Sequence, residues 1–357
     1  MSETLELKPD FAETRARWTR YWNDEIDDRP MTQIVLQKPG VPQPPKVEAY
    51  SVPYGDIEKA ALATLEWARA KEWLADSVPG CQITFAADHF AMLLGAEMTY
   101  DDGSVSGTPT GWVHPFMDDY DREIKFRPDW KWWEKTVECI RGFRKICDGR
   151  LVVSGPNLEG GLDALAAIRG PENLLMDLLD RPGDVKRALE QIDAALKDAR
   201  AALTAELDTP RWGSVTRHGT YSTGLTDVPQ CDFSAMISAG AFREFELPAL
   251  IKETDATDGG NIYHLDGKEA LHHLPALAEV PKIKSIQWQP GASGCNADWS
   301  ALFAQIDSLG LGQMRGGSPA EIRELWRTLR VPRRLYVPWV GGVKTRAEAD
   351  AYLAGFI

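Results

Sequence analysis

In the segment Asn261-Ile262-Tyr263-His264-Leu265-Asp266-Gly267, a short apolar run delivers a His and an Asp two residues apart, and a Gly stops it. Read as a strand, the run turns the His264 and Asp266 side chains to one face. An imidazole and a carboxylate then converge at the strand's end. That geometry serves a metal ligand pair, an acid/base pair, or a His oriented by its own carboxylate. The alternative without chemistry is a capped strand whose polar groups meet the next helix's N-terminus.

Other candidates share the strand-end placement. His218 stands in Arg217-His218-Gly219-Thr220-Tyr221, with Asp227 and Asp232 shortly behind. His218, Tyr221 and Asp232 could move protons together, and a hydrogen-bonded loop explains them equally well. Glu159 follows the strand Leu151-Val152-Val153 and could supply paired carboxylates with Asp163. Asp163 also opens a helical run, where capping is its simpler use. Arg217 and Arg315 are placed to clamp an anionic substrate or to offset local acids. Trp288, Gln289 and Trp339 end strands, so they would line a pocket floor or plug a core. His272 and His273 lie on a helix and read as packing residues.

The elements that must hold these groups alternate. Phe11 to Asn23 reads as a helix, Met31 to Leu36 as a strand, and Pro39 to Pro45 as an extended loop. Asp56 caps a helix expected to run to Asp76. Cys81 to Pro128 reads as irregular. From residue 150 the pattern becomes regular: strands near 151, 213, 261, 283, 311 and 335 alternate with helices, the longest from Gly183 to Leu207. Such alternation predicts parallel strands with right-handed crossovers. Adding strands near 31 and 83 brings the count close to eight. The fold expected is α/β, a (β/α)8 TIM barrel with an N-terminal helical and irregular extension. Residues 1–55 would form that extension and 56–357 the barrel. An open doubly wound sheet is the rival, but no GxGxxG follows a strand, so a dinucleotide site has no support.

Composition narrows the function classes. A formal charge of −13 leaves no basic excess to neutralise phosphates or an anionic membrane surface, so neither nucleic acid nor membrane is an expected partner. No apolar run approaches the roughly 20 residues of a spanning helix, and the first ten residues do not read as a secretory signal. The five cysteines are scattered and odd in number, which predicts reduced thiols and a cytoplasmic location. Trp18, Trp22, Trp67, Trp73, Trp130, Trp132 and Trp133 all precede residue 140. They predict an aromatic layer over a core, or a wall for a flat or sugar-like ligand.

Several stretches resemble the uroporphyrinogen decarboxylase superfamily, which includes corrinoid- and zinc-dependent methyltransferases. They are Gly155-Pro156-Asn157-Leu158-Glu159-Gly160, Ile168-Arg169-Gly170, Gln230-Cys231-Asp232-Phe233-Ser234, Phe242-Arg243-Glu244-Phe245, Ile262-Tyr263-His264-Leu265-Asp266-Gly267 and Ile286-Gln287-Trp288-Gln289-Pro290-Gly291. The resemblance covers about residues 55 to 355. It implies a barrel with a deep cleft at the C-terminal ends of the strands, and an active-site rim at Asp88-His89. A surface turn is the alternative for that pair. In the methyltransferase branch a His-x-Cys pair and a later Cys bind zinc. Here His264 matches the first ligand, Asp266 replaces the first Cys, and Pro338-Trp339-Val340-Gly341-Gly342 holds no Cys. Thiolates suit zinc to thiol activation, so their replacement argues against thiol methylation. The Arg-rich N-terminal segment of the decarboxylase branch is also missing.

The function expected is a methyltransferase-like enzyme acting on a small methylated or alkylated compound. His264 and Asp266 would hold a divalent metal such as zinc, a water or the substrate. The resemblance implies a corrinoid protein as partner, and a homodimer is the assembly expected. Three rivals stay open: a metal-free decarboxylase or lyase, a carbohydrate-active hydrolase, and a catalytically silent binding protein.

Overall fold

The structure, a computed structural model, describes residues 4–104, 109–291, 294 and 297–356. Cys295, one of the five scattered cysteines, lies outside the described residues. The first half of the chain contains α1 (Phe11–Trp22), β1 (Met31–Gln37), α2 (Ile57–Arg69), β2 (Lys71–Ala75), β3 (Gly80–Gln82) and α3 (His89–Leu93). Next come β4 (Glu97–Asp101), β5 (Thr110–His114), α4 (Lys131–Cys147), β6 (Val152–Ser154), α5 (Gly161–Arg169), α6 (Pro171–Asp180) and α7 (Pro182–Leu207). The second half adds β7 (Ser214–Val215), β8 (Tyr221–Ser222), α8 (Leu247–Asp255), β9 (Asn261–Asp266), β10 (Ile283–Gln289) and α9 (Ser300–Ser308). It closes with β11 (Gly312–Gln313), α10 (Pro319–Thr328), β12 (Tyr336–Val337) and α11 (Arg346–Ala354).

The fold is mixed α/β, built on several short sheets. Strands β9, β10 and β11 run parallel, as do β3 with β6 and β1 with β12. A parallel bridge from Met314 to Tyr336 links the β11 end to β12, and another joins Gln230 to His264. The Val215 amide donates to Ser154 Oγ at 2.8 Å, which sets β7 beside β6. Not every pair is parallel: β4–β5 and β7–β8 are antiparallel, and so is β1–β2.

The β1–β2 pair corrects the expectation of one helix from Asp56 to Asp76. Asp56 does cap α2, accepting from the Lys59 amide at 3.0 Å, but the helix stops at Arg69. Lys71 to Ala75 keeps helix-forming residues, yet pairing with β1 over five registers outweighs that weak local preference.

Three buried clusters form the core among the described residues, and two of them include β9. Met31 of β1, Val152 of β6, Val215 of β7, Ile262 of β9 and Tyr336 of β12 meet in one buried cluster, closed by Phe11, Trp18, Tyr21 and Trp22 of α1 and its start. Trp18 Nε1 donates to the Asp76 carbonyl at 2.9 Å, and Trp22 Nε1 to the Tyr221 carbonyl at 2.8 Å. These indoles are therefore buried without orphaned donors. Outward-facing Tyr263 and Leu265 instead join the larger cluster formed with the covering helices. β9 thus reads inward as Ile262, His264 and Asp266, from sealed core to open cleft.

Candidate active site

Three polar side chains meet where β9 ends. A ring nitrogen of His264 and one carboxylate oxygen from each of Asp232 and Asp266 all lie within 4.8 Å of one another. Gly267 ends the strand with φ of +79°, a conformation that favours glycine, and its amide donates to the Gln289 carbonyl at 3.0 Å. Asp232 arrives on the neighbouring segment, where the His264 amide donates to the Pro229 carbonyl at 3.0 Å. Asp163, in the first turn of α5, accepts the Asp232 and Phe233 amides at 2.9 Å each. Asp163 therefore caps the turn that carries Asp232.

Arg217 and His218 come from the tight turn after β7. Gly219 makes that turn with φ of +74°, and its amide donates to the Thr216 carbonyl at 2.9 Å. A Cβ on Gly219 would collide with the Gln33 amide group. The Arg217 guanidinium donates to Glu159 Oε1 at 3.3 Å and to Gln230 Oε1. The His218 ring centroid lies 6.1 Å from that of His264, and His218 Nδ1 is buried with no hydrogen-bond partner.

Burial dominates the electrostatics. It pushes His218 down to about 3, helped by the Arg217 and His264 charges. His264 is also lowered by burial, against the Gln287 bond and the Asp232 and Asp266 charges. Both shifts favour the neutral imidazole, the form a metal ligand or a base needs. Asp232 opens to the cleft but is crowded by protein, which raises it together with the Asp266 charge. Asp88 rises through burial and then through Asp232. Glu159 rises well above the usual range through burial and then Asp163, with Arg217 opposing. Asp163 is pushed up to about 7 by burial and then Asp232. These shifts all favour the protonated forms of the carboxyls.

The structure therefore brings together His264, Asp266, Asp232, His218, Arg217, Glu159 and Asp88. Other expected site residues fall elsewhere. Tyr221 is fully buried in the inner cluster, 5.7 Å from the Phe11 ring, and its hydroxyl donates to the Trp212 carbonyl at 2.9 Å. It lies in the sealed layer below the cleft. His89 is also fully buried: Nδ1 accepts the Phe85 amide at 3.1 Å, and Nε2 meets Thr136 Oγ1 at 3.0 Å. It braces α3 against α4.

Trp288, a pocket-floor residue or a core plug by its sequence position, does not face His264. Register sets Trp288 opposite Leu265, so it faces the helices and packs edge-on against Trp299 at 5.0 Å. Gln287 and Gln289 oppose His264 and Asp266, and Gln289 is exposed at the rim. Trp339 is 58% exposed and is no pocket floor. Arg315 stacks 3.6 Å above the Phe303 ring of α9 and donates to Gln313, on the helix side.

Sequence reasoning passed over Gln230 and Gln287. Gln230 Nε2 donates to Asp232 Oδ2 at 3.2 Å. Gln287 Oε1 faces His264 Nδ1, and its Nε2 donates to the Trp288 carbonyl at 3.4 Å. Neutral amides give no chemical signal in a sequence. Tyr50 was also missed. Its hydroxyl feels the charges of Arg217, Glu159 and Asp88, and it lines a cavity of about 410 Å³ with Trp67, Gln82, Thr84 and Arg217. Arg217 belongs to both the cavity lining and the polar cluster.

A second group of buried carboxylates holds the frame. Glu253, Glu246 and Asp227 accept the amides of Gly160, Leu162 and Leu158 at 3.3, 2.7 and 3.3 Å. Glu246 ends a single π-helical turn, Phe242–Glu246, directly before α8 with its Pro248. Wider turns of this kind relieve the clash a proline makes inside a helix.

No family model matches the chain, and no curated protein sequence matches it. Among solved structures, it is similar to a methyltransferase from Methanosarcina mazei. The TM-score is 0.59 at 13% identity, over 96% of this chain and 97% of that one. At that identity the likeness is one of fold. Among the described residues, no helix is long and apolar enough to cross a membrane.

Proposed function

We propose that this chain is a methyltransferase-like enzyme. It would act on a small methylated or alkylated compound in the cleft above β9 and β10. The observation that carries this reading is the convergence of His264, Asp232 and Asp266. One imidazole and two carboxylates form a hard, thiolate-free donor set that suits a divalent ion such as zinc, manganese or iron. Cys231 does not join it, since its thiol is buried, raised well above the usual range, and bonded to Glu246. Bound there, the ion would supply Lewis acidity toward a substrate heteroatom.

The remaining work falls to the protein. Transfer breaks the bond between heteroatom and methyl carbon. The heteroatom keeps the electron pair and takes a proton, and the methyl joins a nucleophilic acceptor held in line. Asp88 and Glu159, both raised by burial, are the proton donors in this reading. The cavity beside Arg217 would take the rest of the substrate, and a corrinoid protein is the acceptor proposed. We further propose that the parallel pairs close into a (β/α)8 barrel, because six strands share the inner cluster.

The test supplies free cob(I)alamin and a panel of methyl ethers and methylamines to protein loaded with Zn²⁺ or Mn²⁺. Methylcobalamin absorbance should grow with at least one substrate and stop on chelation. No transfer, with no metal retained, overturns the reading. A second reading, metal-free decarboxylation or lyase chemistry, is favoured by the raised carboxyls Glu159, Asp163 and Asp232. Chelator-insensitive turnover of a carboxylated substrate would support it.

A further inference from the structure

His264 is held by a glutamine of the adjacent strand and Asp232 by the glutamine two residues before it, and the surroundings allow each amide only one orientation. The Trp288 carbonyl can only accept, so the Gln287 group 3.4 Å from it is Nε2. That leaves Oε1 facing His264 Nδ1. An amide oxygen can only accept, so Nδ1 carries the ring's proton. In the neutral ring, Nε2 is then the nitrogen with a free lone pair.

The same logic fixes Gln230. A guanidinium can only donate, so Arg217 meets Gln230 Oε1. The Gln230 Nε2 is thereby turned to Asp232 Oδ2, at 3.2 Å. Gln230 is 5% exposed, so water does not compete freely for the amide. Register supports the first contact, since Gln287 is the β10 partner of His264, and it sets Gln230 beside His264 from the other side.

We propose that Gln287 and Gln230 are positioning residues that set His264 and Asp232 for a divalent cation. Gln287 selects the His264 tautomer that presents Nε2, and Gln230 holds one Asp232 oxygen so that the other is free. The inference rests on the metal reading above for its purpose, but the tautomer exists whether or not an ion is bound. Outer partners of this kind, when lost, typically cost about 10- to 100-fold in metal affinity.

The test uses the full chain, with Co²⁺ as the probe. Binding is followed by calorimetry and by the visible bands of the ion, and the His264 tautomer of metal-free protein is read from ¹⁵N shifts. Wild type should bind one Co²⁺ and show the Nδ1–H form. Gln287→Met should lose the tautomer preference and weaken Co²⁺ about 10-fold or more. Gln287→Glu, which keeps an acceptor toward Nδ1, should restore both; a purely structural side chain would not give that rescue. Gln230→Met should weaken Co²⁺ while leaving the His264 tautomer unchanged.

If Gln287→Met keeps both wild-type affinity and tautomer, the positioning role falls while the metal site stands. If wild type binds no Co²⁺ yet shows a fixed Nδ1–H form lost in Gln287→Met, the metal reading falls and the role of Gln287 holds. If Gln287→Met does not fold, a wild-type or Gln287→Glu protein with Nε2–H in its place overturns the inference.

Discussion

His264 and Gln287 are register partners on adjacent parallel strands, and their side chains meet on the cleft side of the sheet. The contact couples β9 to β10 through side chains as well as backbone. It ties the orientation of one imidazole to the placement of a whole strand, so substitutions behind β10 should be felt at the site.

Asp266→Asn keeps shape and removes charge. If Asp266 holds a cation or stabilises the site, activity should fall by about 10²-fold or more. If it only ends the strand, activity survives, with a stability change below about 1 kcal/mol. Turnover and urea denaturation of the same preparation separate these outcomes.

Tyr221→Phe tests the placement of Tyr221 below the cleft. It removes one buried hydrogen bond to the Trp212 carbonyl, worth about 0.5–1.5 kcal/mol net, with a further cost for the acceptor left behind. Activity per folded molecule should not change. A large loss of turnover without loss of stability would return Tyr221 to the mechanism.

Glu253→Gln reports on the buried carboxylate frame. Burial pushes Glu253 up to about 8, with Arg200 opposing. Between its ordinary value of 4.5 and about 8, the folded protein keeps a proton that the unfolded chain releases. Unfolding therefore gains as pH rises through this window, by at most about 1.4 kcal/mol per pH unit. The stability contribution is present at pH 4.5 and lost by pH 8. Glutamine does not titrate, so the stability of the variant relative to wild type should rise across pH 5 to 8. Parallel curves would contradict the raised value.

Gly219→Ala should destabilise the protein and disturb Arg217 and His218 together. The residue carries a left-handed backbone conformation, which costs an L side chain about 1–2 kcal/mol, and the new Cβ meets Gln33. The measurement is thermal unfolding alongside chemical shifts of the His218 ring. An unperturbed His218 in a destabilised protein would show that the turn does not position it.

Elements with strong patterns were legible in the sequence. The periodic run to Leu207 became α7, Phe11 to Trp22 became α1, and the strand carrying His264 and Asp266 fell where the apolar run put it. Pairing-dependent features were not legible. Whether Trp288 or Gln287 faces the cleft depends on the register of β10 with β9, and a shift of one residue reverses the answer. Arg315, like Trp288, sits at a strand end but points to the helix side. Tyr221 follows His218 by three residues, yet β8 folds back along β7 and carries it down into the core.

The indoles of Trp18 and Trp22 close the inner layer from below. Below His264 that layer is filled by side chains, so a compound reacting there would leave on the strand-end side by which it entered. Spent product then stands in the path of the next arrival. Inhibition by product should be competitive.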